Sequence, residues 1–392
     1  MSKAHLARGW RRTRTWAAAG VVVLAGTSLA ACGSSSNDTP TAANSDSAGA
    51  STSTSSDLDA LTKPLDAYPV PTDKVTGDVS SLSGKTIYYI PISQQAPQFT
   101  ITANALTEAA KAVGMKVQVC DGKGTPSGIN ACIAQGTQAK AAAIIGDAVP
   151  YVLAANSFQA ARNAGIPVVI GDNIPDEGVT QDKTLAYVGY DAGSAMEEAL
   201  AKWVIADSGG NANILINADT DGPSPVKFEA AGEQVFKSDC PSCKVTTNKI
   251  SSANFGLVAS STSAALLKDP SINYVESQYE QFLQVTQGGV QQTGRTIKIV
   301  DGAAALDSVK AVANGTLAAA AGQASAYMGW VELDAALRMT FGDTLPNYTI
   351  PVRLFTKDTV TADDQTEAAQ DSGAWFGPTT FTDDFKKLWG VA

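Results

Sequence analysis

The sequence predicts an α/β protein built as two doubly wound lobes, each a parallel sheet covered by helices. Two observations carry that expectation. From Lys85 onward, short β-branched runs alternate with longer amphipathic ones, a pattern that builds parallel sheets with both faces covered. The alternation breaks once, near residues 185–191, and restarts as a second series of similar size.

TIYYI (86–90) reads as the first strand. It leads into a helix that carries Phe99, Ala103, Leu106, Ala110 and Val113 at alternating four- and three-residue spacing, stopped by Gly114; this is the stripe a helix buries. KVQVC (116–120), a helix near 127–139, AAAIIG (141–146), a helix near 150–164 and IPVVIGD (166–172) follow. LAYVGYD (185–191) reads as the link. The second series runs through the helix AMEEALAKWVIAD, the strand NILIN (213–217), the helix PVKFEAAGEQVFK and the strand KVTTNKI (244–250). A helix near 257–267, NYVES (273–277), another helix and TIKIV (296–300) come next, and an all-alanine strand ends at Gln323.

In sheets of this kind ligands sit beyond the carboxyl ends of the strands. The rule singles out Ser93, Gln94 and Gln95; Asp147; Asp172 and Asn173; Asp219 and Asp221; Gln278 and Tyr279; Asp301; and Gln323. Carboxylates, amides and a phenol together donate and accept hydrogen bonds, which suits the holding of a small polar molecule.

Several chemistries are excluded. The sole histidine, His5, falls in a segment expected to be removed, so neither Ser-His-Asp nor Cys-His catalysis is available, nor a His-based metal site. There is no G-x-G-x-x-G and no G-x-x-x-x-G-K-[ST], so a phosphate loop is unsupported and no cofactor is expected. Asn217-Ala-Asp219-Thr-Asp221-Gly222 has the first half of a calcium loop, but Phe228 stands where the closing Glu belongs and a strand precedes it. A cleft-edge loop is the expectation.

The first 31 residues carry five basic side chains and no acidic one, ahead of an apolar stretch from Trp16 to about Ala31. That arrangement is an export signal, too short for a comfortable membrane span. Leu29-Ala30-Ala31-Cys32 resembles the bacterial lipobox, which makes Cys32 the expected lipid attachment point. Residues 33–57 contain no Lys, Arg or aromatic and are more than half Ser or Thr. Such a stretch buries too little to order itself and is expected to be a tether. Losing the five basic side chains of the signal takes the formal net charge from −10 to −15, which argues against nucleic acid as a partner. The four cysteines left after Cys32 are Cys120, Cys132, Cys240 and Cys243. An even number outside the cytoplasm predicts two disulfides, one per half of the chain. Cys240-Pro-Ser-Cys243 also has redox spacing, but it lacks the helix N-terminus that lowers a thiol pKa, so a structural bridge is expected.

From about residue 84 to the end, the chain resembles a type I periplasmic binding protein of the ribose/galactose group. Four segments carry the resemblance: IPISQQAPQFTITANALTEAAKAVG, NAGIPVVIGDN, TIKIVDGAAALDSVKAVANGTLAAAAGQ and the closing FKKLWG. It implies ligand contacts at Phe99, Asp172, Asp301 and Gln323. Phe99 and Tyr279 offer aromatic faces to a sugar, although Phe99 also fits its helix's buried stripe and Trp330 reads better as core. The chain departs from the pattern where sugar binders often place arginines. Asn173 follows Asp172, Lys227 with Phe228 and Glu229 stand near the second expected arginine, and Ser277-Gln278-Tyr279 replaces an Asn-Asp pair. Bidentate donors are thereby lost.

The resemblance further implies a three-segment hinge near 173–191, 323–329 and 348–352. It divides the chain into a lead-in segment (58–83), a first lobe of 84–190 plus 324–350 and a second of 191–323 plus 351–392. The function it implies is a lipid-anchored, monomeric receptor of an ABC importer. Such a receptor docks on the transporter's permease after closing around a small polar solute, with sugar or polyol favoured, and is not an enzyme. The rivals are a sensory receptor of the same fold and a glycosidase, whose two carboxyls must stand about 5 to 9 Å apart.

Overall fold

The computed structural model of the protein describes residues 57–391. The expected signal, Cys32 and the tether through residue 56 lie outside the described residues.

The first sheet contains β1 (Thr86–Pro91), β2 (Lys116–Val119), β3 (Ala143–Asp147), β4 (Val168–Gly171) and β5 (Leu185–Val188). Their order is β2-β1-β3-β4-β5 and every pairing is parallel. Successive residues of β1 serve opposite faces, as the two-residue period of a strand requires. Ile87 and Tyr89 pack with Ile145, Val169 and Leu106 of α1 (Pro97–Ala112). Tyr88 and Ile90 pack with Ile129 of α2 (Pro126–Gln138) and Phe158 of α3 (Ala155–Asn163). Both faces are therefore covered, which is why the strands read as continuous apolar runs.

LAYV departs from the expectation. It is the fifth strand of the first sheet, not a link, and all four residues are buried. A run of four apolar side chains finds burial on both faces of a covered sheet and none in an exposed connection. The first crossing between lobes therefore shrinks from 173–191 to Gly189, Tyr190 and Asp191.

The second lobe begins with α4 (Ala192–Asp207) and continues through β6 (Asn213–Asp219), α5 (Pro223–Asp239), β7 (Lys244–Ile250) and α6 (Val258–Lys268). β8 (Tyr274–Ser277), α7 (Leu283–Gln291), β9 (Lys298–Asp301), α8 (Leu306–Asn314) and β10 (Ala319–Gln323) complete the series. The chain then crosses into α9 (Ser325–Phe341), which packs on α1, and returns as β11 (Val352–Thr356). The sheet order is β11-β10-β9-β8-β6-β7. Its one antiparallel pair, β10 with β11, follows from the crossing. β10 ends where the chain leaves the lobe, β11 starts where it comes back, and Gln323 and Val352 are register partners.

Every residue of α9 from Ser325 to Met339 is buried. The chain's last helices are α10 (Glu367–Ser372) and α11 (Phe381–Trp389). Trp389 stacks on Trp330 of α9 with ring centroids 5.4 Å apart, and its Nε1–H donates to Asp334 at 2.8 Å. The closing helix thus packs on the helix that backs the first sheet, although the resemblance assigns 351–392 to the second lobe. The lead-in segment is tied to the same core, with Tyr68 stacked against Tyr327. Both expected disulfides form. Cys120–Cys132 joins the end of β2 to α2, and Cys240–Cys243 closes the turn after α5.

Trp330 is 1% exposed and touches Phe381, Phe385 and Trp389. Trp330→Ala is expected to lower stability by about 3–5 kcal/mol through the cavity it leaves, read as a shifted urea midpoint in far-UV circular dichroism.

Candidate ligand-binding cleft

Open parallel sheets leave a crevice where the strand order reverses, beyond the carboxyl ends. In the first sheet that point lies between β1 and β3, and in the second between β6 and β8. Asp147 closes β3 at the first of these points and is wholly buried. The Tyr89 hydroxyl of β1 donates to its Oδ2, while Oδ1 has no partner among the described residues. Asp172 follows β4 at φ 49°, a left-handed conformation that aspartate tolerates better than most residues. Its Oδ2 accepts from Gln323 Nε2–H at 2.7 Å and its Oδ1 is unpartnered.

Glu332 of α9 reaches the same place from behind. A Cβ at Gly171 would stand 2.4 Å from Glu332 Oε1 and 3.3 Å from Asp147 Oδ1. Only glycine leaves room there for two carboxyls. Both Glu332 oxygens are buried and unpartnered.

The second lobe brings a similar set. Glu197 of α4, Glu276 of β8 and Asp301 at the end of β9 are all buried. Asp301 Oδ2 accepts from Ser308 Oγ at 2.6 Å, whereas Asp301 Oδ1 and Glu276 Oε1 lack partners. Gly302 again permits the close approach, because a Cβ there would meet the Gln278 carbonyl oxygen at 2.3 Å.

The lobes touch at the strand ends. Ser224, in the first turn of α5, donates to the Asn173 side chain and accepts from the Ile174 N–H at 3.0 Å. Gln323, the last residue of β10, holds Asp172 as described, and Pro150 faces Gly222. The lobes are therefore in contact at the strand ends, with the carboxyls enclosed.

Burial dominates the electrostatics. It pushes Asp147 up to about 6, although the Tyr89 hydrogen bond pulls the other way. Asp172 is raised well above the usual range by burial and then by Asp147, and Glu332 by burial and then by Asp147 and Asp172. In the second lobe burial lifts Glu197, with Glu276 adding to it, and lifts Asp301. Asp219 is pushed up to about 7 by burial and by Asp221. Tyr279 is raised by burial and by Asp219, Glu197 and Asp172, carboxylates that belong to both lobes. A buried carboxylate without a cation favours its neutral form, so Asp147 and Asp172 hold a proton between them.

Of the residues singled out by the strand-end rule, Asp147, Asn173, Asp301 and Gln323 are buried and Asp172 and Tyr279 are half-buried. Gln94 and Gln95 stand exposed, their backbone N–H groups bonded to Asp121 and Ser93. The residue that turns inward is Gln98, whose buried Oε1 is unpartnered and which lies beside Gln323 and Ser325. A helix starting at Pro97 brings that position round toward the second lobe. Lys227 is exposed. Gln278 is fully buried, but its amide is engaged with backbone, accepting from Asp219 N–H at 2.6 Å and donating to the Pro225 carbonyl at 2.8 Å. Phe99 is 5% exposed yet belongs to none of the apolar core clusters of the described residues. Asn217 of the half calcium loop points into the lobe, bonded to Thr262 and Thr286 at 2.9 Å each.

Glu332, Glu197, Glu276 and Tyr89 escaped the sequence reading because they lie within helices and strands rather than after them. For Glu332 a signal existed. The helix SAYMGWVELDAALRM is apolar all round except for Glu332, Asp334 and Arg338, and a helix of that kind is buried together with its charges.

Residues 87–344 match the sequence pattern of the periplasmic binding protein domain. This chain belongs to the periplasmic binding protein family. No curated protein is similar enough in sequence to count as a match. Among solved structures, this periplasmic binding protein is similar to an ABC transporter solute binding protein from Agrobacterium vitis with bound allitol. The TM-score is 0.62 at 21% identity, over 71% of this chain and 97% of that one. It is also similar to the 5-methylthioribose transporter solute binding protein of Thermotoga lettingae, with TM-score 0.65, 18% identity, and 79% and 99% covered. A protein from Mycobacterium smegmatis in complex with β-D-fucofuranose gives TM-score 0.62, 19% identity, and 74% and 98% covered. At these identities the likeness carries the fold. Among the described residues no helix is long and apolar enough to cross a membrane.

Raised carboxyls give stability an unusual sign. Between 3.8 and about 6 the folded protein keeps a proton on Asp147 that the unfolded chain has shed, so stability falls as pH rises through that window. Asp269, held low by its hydrogen bonds to Ser271, acts oppositely only below the usual carboxylate range. The ligand-free protein is therefore expected to melt higher near pH 5 than near pH 7.5, by roughly 3 °C or more if about 1 kcal/mol is involved. Glu332→Gln, which removes one of the crowded carboxyls, is expected to flatten that slope in scanning calorimetry.

Proposed function

We propose that the protein is a lipid-anchored receptor of an ABC importer, which captures a small polar solute outside the cytoplasm and releases it chemically unaltered. The single observation that carries the reading is the junction of the lobes at their strand ends. There, Gln323 from one sheet holds Asp172 from the other, amid buried polar atoms that have no partner among the described residues. A solute that supplies the missing partners contacts both lobes only in the closed form, and its differential affinity then drives closure. Sugars and polyols are the favoured class. Their hydroxyls answer carboxylates and amides, and the structural relatives named above were solved with allitol, 5-methylthioribose and β-D-fucofuranose. The anchor is Cys32, acylated after removal of the preceding residues, and a permease is the docking partner.

The test is a thermal-shift and mass-spectrometric screen of the purified protein against pentoses, hexoses and alditols. A binding solute should come back unchanged in mass, and small-angle scattering should show a smaller radius of gyration with it. Gln323→Ala should weaken the same solute about tenfold or more, the scale of one buried hydrogen bond to a charged group, while circular dichroism stays the same. A hydrolysed solute, or full affinity in Gln323→Ala, overturns the reading. Separately, Cys32→Ser should move the protein from the detergent phase to the aqueous phase in Triton X-114 partition.

A further inference from the structure

The junction of the lobes gathers carboxyls and gives them no cation. Asp147, Asp172 and Glu332 converge beside Gly171, and within the second lobe Glu197, Glu276 and Asp301 are buried likewise. None of the six takes part in an ion pair among the described residues. The two buried arginines are engaged elsewhere, Arg338 with Asp334 and Arg353 with Asp364, and Lys227 is exposed. Buried charges elsewhere in proteins are paired or metal-bound, and among the described residues no three His, Cys, Asp or Glu side chains are arranged to hold a metal ion.

A second and independent observation comes from a donor. The Asn173 Nδ2–H group is buried, 1% exposed as a residue, and has no acceptor, although Asn173 Oδ1 is engaged by Ser224. The junction therefore lacks two different partners. The carboxylates want positive charge and donors, and the neighbouring amide wants an acceptor. Phe99 is buried outside the apolar clusters of the described residues, and its carbonyl accepts from the Tyr89 hydroxyl at 3.3 Å.

We propose that the solute of this receptor is a hydroxylated organic cation, an amino sugar or amino polyol, with its ammonium group among Asp147, Asp172 and Glu332 and a hydroxyl oxygen accepting from Asn173. The proposal rests on the receptor reading above and narrows its solute class. A neutral sugar leaves the carboxyls to be neutralised by protons alone, whereas an ammonium group replaces the proton held between Asp147 and Asp172. That proton passes to solvent, one cation in for one proton out. The groups facing Asp147 are Tyr89 from β1, Asp172 after β4 and Glu332 from α9, and an ammonium charge among them removes the burial penalty that makes the carboxyls keep protons.

Isothermal titration calorimetry of the whole purified protein with matched pairs tests this. The pairs are D-glucosamine with D-glucose, D-galactosamine with D-galactose, and 1-amino-1-deoxysorbitol with D-sorbitol, each measured in phosphate and in Tris buffer. At least one amine should bind tenfold or more tightly than its neutral counterpart. It should release protons, seen as a buffer-dependent heat, and should weaken as pH falls through about 6, where Asp147 takes up its proton. Asp147→Asn and Glu332→Gln should each erase that preference while a folded circular dichroism spectrum persists. Neutral members binding as well as their amines, without proton release, overturn the inference and leave the receptor reading standing. Binding of no member of any pair overturns it too, and the wider screen then judges the receptor reading. Displacement of a bound amine by calcium or magnesium alone would assign the carboxyls to a metal instead and overturn it as well.

Discussion

Burying a carboxylate is unfavourable unless something answers its charge, and the rest of this structure is arranged around that constraint. Away from the junction the protein meets it in full. Asp334 takes Arg338 at 2.7 Å, the Tyr348 hydroxyl at 2.6 Å and the Trp389 indole at 2.8 Å, so that one buried acid ties three stretches of chain together. Asp364 does the same for β11 through Arg353, whose guanidinium also reaches the Trp375 carbonyl at 2.8 Å. At the strand ends the constraint is left open, with acids equally buried and without cations. The contrast within one chain separates acids paired with cations from buried acids without one.

That open constraint lies where the chain can move. The lobes are joined at 189–191, at Ala324 and between α9 and β11, short connections that let two packed bodies rotate without repacking either. Among their contacts at the junction are Ser224 with Asn173, Gln323 with Asp172 and Gly222 with Pro150. The backbone is strained at the same level. Ala148, Asp172 and Ala303 all have positive φ and all stand just past strands of the first or second sheet. Strain of this kind persists where the surroundings over-determine it, and it clusters at ligand clamps. Closing on an unneutralised site is unfavourable, and a bound solute of the right charge removes the reason for staying open.

Much of this was legible in the sequence. Alternation of strand and helix placed the strands of both sheets, apart from LAYV and β11. The strand-end rule singled out Asp147, Asp172, Asn173 and Asp301, all buried or half-buried in the structure, because a parallel sheet aims all its carboxyl ends the same way. Where the reading missed, the cause was local. LAYV looked like a link because it is short and followed by glycine, and only its neighbour β4 makes it a strand. Gln94 and Gln95 were preferred to Gln98 because the rule counts from the strand, whereas the turn of α1 selects the face.

The sequence by itself determined the class of fold and the two bridges Cys120–Cys132 and Cys240–Cys243, because each depends on residue type or on spacing along the chain. Tertiary structure alone decided which acids stand together and that no cation joins them. Glu332 lies 160 positions from Asp172 along the chain, and a carboxylate in the middle of a helix carries no mark of its neighbours. Charge balance is a property of a volume of space, and only the folded chain defines that volume.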